Sequence, residues 1–319
     1  MKYLILIVTG AVGLILLAVA TGKSGQTTIQ KVKLQEDFRG AKVKREDLEQ
    51  GCFGQDCIPA IVAPQFESVS QATWLRDEDI IFGITYKGIT RAYPQRILNW
   101  HEIVNDSFEH DPVAITFCPL CGSAVAFIRT VGGVAAEFGV SGKLHSSDLV
   151  MYDRREGNLW QQITGEAIVG PAARRNEILK QLPIITATWG KWRLGHPDTL
   201  VLSRKTGFSR DYDQYPYGTY EHDDQLYFGV KNLNRQLPIK TVVYGVEIGR
   251  LSKAYPQAAI KEKQVIVDTL GNTRIKIELS SSGDVLVTNL GTGKSIIPIR
   301  LFWFAWASFH PETELYGSK

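Results

Sequence analysis

Apolar positions in this chain gather into short β-rich runs, and few stretches hold a helical period for long. The runs Ile80 to Tyr86, Val113 to Phe117, Val125 to Thr130, Thr199 to Leu202, Thr241 to Val246, Gln264 to Asp268 and Arg274 to Leu279 are mostly bounded by Gly, Pro, Asn or Asp. That is the pattern of short strands closed by turns. Two helices are expected, Pro94 to Glu102, behind a proline suited to a first turn, and Asn176 to Gln181. The predicted class is α+β, predominantly β with a few short helices.

The amino terminus departs from this pattern. Lys2 precedes an uncharged apolar run from Leu4 to Ala20 that ends in the small residues Ala18-Val19-Ala20. Residues 1–21 therefore read as a signal peptide or a single membrane anchor. The expected location is the cell envelope, periplasmic or otherwise extracytoplasmic, with the inner membrane as a partner through this segment if it is not cleaved. Residues 22–50 carry Lys, Arg, Glu and Gln with little periodicity and read as a tether or peripheral arm.

The pattern also repeats. Arg91-Ala92-Tyr93-Pro94-Gln95 recurs 162 positions later as Lys253-Ala254-Tyr255-Pro256-Gln257, and the same offset lays Asp106 on Asp268. Trp189-x-x-Trp192-x-x-x-His196-Pro197-Asp198-Thr199 recurs only 114 positions later as Trp303-x-x-Trp306-x-x-x-His310-Pro311-Glu312-Thr313. The chain is thus expected to be internally duplicated, with a first repeat at 51–235 and a shorter, degenerate second repeat at 236–319 packed on it. The missing length brackets Ser141 to Pro171. Strings present in both copies read as scaffold, His196 and His310 included. Cys118, Cys121, His101 and the 141–171 segment have no counterpart in the second copy and read as one site.

Composition narrows the chemistry. With 44% hydrophobic and 22% charged residues and a net charge of +3, nothing suggests a nucleic-acid partner. Four cysteines form two close pairs, Cys52/Cys57 and Cys118/Cys121. In an oxidising compartment a close pair defaults to a disulfide unless a metal or a reductant holds it open. Cys118-Pro119-Leu120-Cys121-Gly122 lies between two strand runs, so it is expected as a hairpin turn of the kind seen in zinc knuckles rather than as the helix start of thioredoxin-type enzymes. Candidate metal ligands are Cys118, Cys121, His101, His145 and Met151, with copper or zinc as the metal and a metal-delivery protein as partner. If the same dithiol instead cycles as a thiol–disulfide oxidoreductase, His101 or Glu102 would move the proton and a redox protein would be the partner. A third reading is a structural or interaction module with two disulfides. The polar stretch after the dithiol offers Asp148, Asp153, Arg154, Trp160, Gln162 and Glu166 as pocket residues, and Tyr212, Tyr215, Tyr217 and Tyr220 as a loop on the core or a ligand rim. No phosphate loop, HExxH motif, GxSxG elbow or haem-attaching CxxCH is present.

The strings RAYPQRILNWHEIVND, ITFCPLCGSA, SGKLHSSDLVMYDRREGNLWQQITGEAIVG and the Trp/His-Pro region resemble the family catalogued as domain of unknown function 3179, found in exported or membrane-anchored prokaryotic proteins. The resemblance runs from about Cys57 to beyond Gly229 and brings no established activity. Cys52 and Cys57 stand where the family usually has a Gly-rich turn, and His145 falls at a variable position. Both departures weaken a four-ligand scheme that uses them.

Overall fold

The alternation of Ile80–Tyr86 and Ile89–Pro94 folds into a hairpin whose two turn residues, Lys87 and Gly88, have φ of 50° and 76°. Such turns carry the right-handed twist of paired strands. The protein, as seen in a computed structural model, is described over residues 32–280 and 283–318. It is mostly β, with 40% of residues in strands and 13% in helices, built as several small sheets in a propeller-like arrangement. The signal or anchor expected at 1–21 lies outside the described residues. Among those described, no helix is long and apolar enough to cross a membrane.

One order of elements occurs twice. In the first unit, Ile185–Thr188, Ile80–Tyr86, Ile89–Pro94 and Leu200–Leu202 form a sheet whose last pairing is parallel, with Phe66–Ser68 added at the edge. In the second, Ile299–Phe302, Val242–Ile248, Leu251–Pro256 and Glu314–Leu315 do the same, again with a parallel last pair. Each unit continues through a seven-residue helix, Gln95–His101 or Gln257–Lys263, into a second four-stranded sheet. The tyrosine of each YP turn bonds the shared aspartate, Tyr93 to Asp106 and Tyr255 to Asp268, and Arg91 or Lys253 pairs with that same carboxylate.

The Trp strings close each unit in the same way. Trp192 Nε1 donates to Thr199 Oγ1 at 3.1 Å and Trp306 Nε1 to Thr313 Oγ1 at 2.8 Å. His196 and His310 lie on those indoles with ring centroids 4.0 and 3.8 Å apart, the packing role expected for them. Each indole also rests on a strand glycine. A Cβ at Gly83 would stand 2.3 Å from Trp192, and one at Gly245 would stand 2.2 Å from Trp306. Gly83→Ala and Gly245→Ala should each destabilise the protein by about 1–3 kcal/mol, since neither rigid ring can move without opening its core. Urea unfolding midpoints of the two variants measure this; an unchanged midpoint for either would contradict the packing.

The two units differ in length between their last two paired strands. Between Ser123–Ile128 and Lys180–Leu182 the first unit inserts residues 129–179, whereas the second joins Val285–Asn289 to Ser295–Ile296 through 290–294 alone. The insertion forms a five-stranded sheet from Phe138–His145, Asp148–Asp153, Leu159–Gln161 and Ala167–Val169, edged by Leu48–Gln50. The described part of the expected tether is therefore docked, with Val32, Leu34, Phe38 and Val43 packed on Val150, Leu159 and Val169.

The expected strands all appear, with ends shifted by one or two residues, and the Pro94 helix spans Gln95–His101. The helix expected at 176–181 does not form. Pro171 opens a short helix over Pro171–Arg174, Asn176 then takes a left-handed φ of 53° that ends it, and Lys180–Leu182 is drawn into the edge of the Ser123–Ile128 strand. Tertiary pairing outweighs the weak local helical preference.

Candidate metal centre

Strands Asp111–Cys118 and Ser123–Ile128 pair through Cys118 and Ser123, so the CPLC segment is the expected hairpin turn. Cys121 N–H donates to Cys118 O at 3.2 Å, which brings both side chains to one side of the loop. Gly122 has φ of 61°, and a Cβ there would stand 3.1 Å from the Phe302 ring, so only glycine meets both demands. The second unit holds this turn from behind: Phe302 N–H donates to Cys121 O at 2.8 Å, and Arg300 reaches Gly122 O at 3.3 Å.

The insertion brings the third donor. Ser146 and Ser147, with φ of 50° and 64°, form the tight turn that connects Phe138–His145 to Asp148–Asp153. Serines in left-handed conformation store roughly 1 kcal/mol or more each, a strain that persists only where surroundings enforce it. Here the turn aims Ser147 O at Cys121 Sγ (3.5 Å) and Cys118 Sγ (3.9 Å). It also sets the Asp148 carboxylate beside the thiols, so that one donor atom each from Cys118, Cys121 and Asp148 lies within 4.8 Å of the other two. All three side chains are buried.

Asp148 takes its nitrogen donors on one oxygen and faces the Cys121 and Cys118 thiols, which also bond it. Its Oδ2 accepts from Gln161 Nε2 at 2.5 Å and from Ile163 N–H at 3.1 Å, while Oδ1 is buried with no oxygen or nitrogen donor among the described residues. Gln161 is oriented in turn by His145, whose Nδ1 lies 2.7 Å from Gln161 Oε1. Gln162 ties the insertion to the hairpin: it accepts from Ser123 Oγ at 2.9 Å and donates to Thr116 Oγ1 at 2.9 Å.

Burial governs the charges. It pushes the Asp148 carboxyl up to about 6 and Glu102 up to about 8, with Asp148 adding to the rise at Glu102. It also pushes the Cys118 thiol above its ordinary value and Cys121 far above, with the neighbouring thiol and Asp148 adding at Cys121. Without a cation the two thiols and Glu102 therefore keep their protons near neutral pH, while Asp148 gives up its own just below it. Glu102 caps the Gln95–His101 helix in a left-handed conformation (φ 57°), and its Oε1 accepts from Tyr217 OH at 3.1 Å. Tyr220 OH donates to Leu120 O at 3.0 Å, so this tyrosine of the run packs on the CPLC turn, while Tyr212 packs on His101.

Other expected ligands stand apart. His101 is buried with both ring nitrogens engaged, Nδ1 with Pro59 O and Nε2 with Tyr212 OH, each at 2.7 Å; burial lowers its pKa to about 4. His145 acts on Asp148 through Gln161 and is not in the donor cluster. Met151 points into the core on the strand paired with Trp160. Of the expected pocket residues, Asp148 alone supplies a donor. Asp153 caps a turn through Glu156 N–H (2.6 Å) and bonds the buried Trp160 indole at 2.8 Å; Arg154 pairs with Asp56 at 2.7 Å. Gln162 braces the hairpin, and Glu166 is exposed. Cys52 and Cys57 sit together as a disulfide, Cα atoms 6.1 Å apart. The contacts of Ser147 and Tyr217 leave no signal in the sequence, because each is made to a segment distant along the chain.

Comparison with known proteins finds no match among curated proteins and none among solved structures. A family model described as "Protein of unknown function (DUF3179)" matches residues 55–313, across both units. With a match over most of its length, from the disulfide loop through the second Trp/His-Pro string, the chain belongs to the DUF3179 family.

Proposed function

We propose that this protein binds a metal ion through Cys118, Cys121 and Asp148, zinc in preference to copper(I). The carrying observation is the buried Asp148 Oδ1, which lacks an oxygen or nitrogen donor in a cluster of three donors within 4.8 Å. Thiols are weak donors, so a buried carboxylate oxygen that has only them for partners is poorly compensated, and a cation would compensate it fully. Tetrahedral zinc, with Zn–S near 2.3 Å, sets donors about 3.8 Å apart, so small side-chain adjustments close this set. Copper(I) favours sulfur, whereas zinc accepts thiolate and carboxylate together. Thiol–disulfide cycling is supported less, since a reactive cysteine needs exposure and a lowered pKa, and both thiols here are buried with raised values.

The apolar N-terminal run supports export, and a bound metal would keep Cys118 and Cys121 reduced in an oxidising compartment. A metal-delivery protein of the envelope would be its partner on this reading. The second unit is read as a degenerate copy whose present work is to brace the CPLC turn. The test is metal analysis of the full chain purified anaerobically, followed by cobalt(II) substitution. One metal per chain and a sulfur-to-cobalt charge-transfer band are expected. No retained metal, with both thiols still reacting freely under excess zinc, would sink the reading.

A further inference from the structure

We propose that the cavity between the two units binds a small apolar α-amino acid, with Arg300 taking its carboxylate and Glu221 its ammonium group. Cys118, Cys121 and Asp148 do not line this cavity, so the site stands apart from the metal reading above.

The first unit gives the space Ile80, Phe82 and Phe117, and the second gives it Val242, Arg300 and Phe302. Gln95, Glu221 and His222 supply the remaining polar wall, and His222 is exposed, which marks the side open to solvent. An apolar cavity of about 150 Å³ holds benzene with its six non-hydrogen atoms, so the 210 Å³ here suits about eight, as in valine or leucine. The buried rings of Phe82, Phe117 and Phe302 offer the apolar side chain its surface.

Arg300 and Glu221 line one cavity without forming an ion pair. One guanidinium nitrogen of Arg300, Nη1, donates to Gly122 O at 3.3 Å, and Tyr244 bonds the same group, but no carboxylate pairs with it among the described residues. These two neighbours leave donors to spare among its five. Burial lowers the Arg300 pKa, and Tyr244 and then Glu221 act against that fall. Glu221 is thus close enough to be felt and too far to touch. Its Oε1 accepts from Gln95 Nε2 at 2.8 Å, and its carboxylate also faces Tyr215. Opposite charges held apart in a partly desolvated space are poorly compensated. A plain carboxylate would be repelled by Glu221 and a plain amine by Arg300. A zwitterion set between them meets both, its carboxylate matching the fork of guanidinium N–H donors.

The first unit shows that the scaffold does not need this charge. By the 114- and 162-residue offsets Arg300 falls on Thr186 and Tyr244 on Phe82, and each of these pairs is a cross-strand pair in its own sheet. The same strand pairing therefore forms with threonine and phenylalanine. Val242 falls on Ile80, so the apolar wall is common to both units while the guanidinium belongs to one.

The test is calorimetric titration of the metal-free full chain with L-valine, L-leucine, 4-methylpentanoate and 3-methylbutylamine, the last two lacking the ammonium or the carboxylate of leucine. Valine or leucine should bind, and each singly charged analogue should bind about 10–100-fold more weakly than leucine, the loss of one charged hydrogen-bonded contact. Arg300→Met and Glu221→Gln should each weaken amino-acid binding by a similar factor. Glu221→Gln keeps an acceptor for Gln95 and leaves the Arg300 contact to Gly122 alone, so it carries the test if Arg300→Met fails to fold. No binding of either amino acid at millimolar concentration overturns the inference. So does 4-methylpentanoate binding as tightly as leucine, or full leucine affinity in Glu221→Gln.

Discussion

Asp148→Asn will weaken zinc binding by about two orders of magnitude while leaving the zinc-free protein as stable as before or more so. Structural zinc sites bind with about 10–16 kcal/mol spread over four ligands, so one ligand is worth on the order of 3 kcal/mol, a factor of about 100. Asparagine matches the shape of aspartate and can still accept through its oxygen from Gln161 and Ile163. It removes only the charge that burial disfavours, on a carboxylate whose second oxygen has no nitrogen or oxygen donor. Loss of a ligand and gain of stability would mark Asp148 as a residue kept for binding and not for folding. Cys121→Ser should lose zinc to a similar or greater extent. Zinc competition titrations with a chromophoric chelator, paired with urea unfolding in EDTA, measure both halves. Wild-type zinc affinity in Asp148→Asn would exclude the carboxylate from the centre.

The zinc-free protein should become more stable as pH falls from 9 toward 5, against the usual acid trend, and Glu102→Gln should remove much of that slope. Glu102 binds its proton with a value of about 8 in the folded chain against 4.5 ordinarily, because burial penalises the charged form. A group raised in this way contributes stability that is complete below the unfolded value and is lost as pH rises through the folded one. The window is therefore pH 4.5 to 8, with a slope of up to about 1.4 kcal/mol per pH unit and a total of a few kcal/mol. Asp148 acts in the same direction over a lower window, from its ordinary 3.8 to about 6. The groups around Glu102 are Tyr217, which donates to it, and Asp148 and Cys118, which are coupled to it electrostatically. Urea midpoints at pH 5, 7 and 9 for reduced, EDTA-treated protein give the comparison. Equal slopes for wild type and Glu102→Gln would show that Glu102 is not held neutral. Zinc should reverse the trend in the wild type, since ligation requires deprotonated thiols and so favours higher pH.

Much of the scaffold was legible because it depends on local patterns. The strand runs required only apolar clustering and turn residues, and the 162-residue offset aligned Tyr93 with Tyr255 and Asp106 with Asp268, pairs that make the same hydrogen bond. The expected length difference fell at residues 129–179, where the extra sheet is inserted. What failed was the choice of partners for Cys118 and Cys121. His101 has no counterpart in the second unit and adjoins Glu102, so it shared every sequence signal of a site residue. Its ring is nevertheless consumed by Pro59 and Tyr212, one of them more than a hundred residues away. Asp148 was one polar residue among many in its stretch, and neither its burial nor its unpartnered oxygen can be seen in the string HSSDL. The helix expected at 176–181 failed for the same reason, an edge strand recruiting a segment with little preference of its own.

By itself the sequence determined that the chain is β-rich, that one set of strings occurs twice, and that the thiols sit on a hairpin turn in one copy alone. These follow from periodicity, turn residues and spacing, which act over a few neighbours. Only the tertiary structure decided which side chains meet the thiols. A bulged sheet, two strained serines and a glutamine brace carry Asp148 to them across thirty residues, while burial sets the charge of every member. Ligand identity is a matter of distance and desolvation, and both arise only when the insertion closes on the CPLC turn.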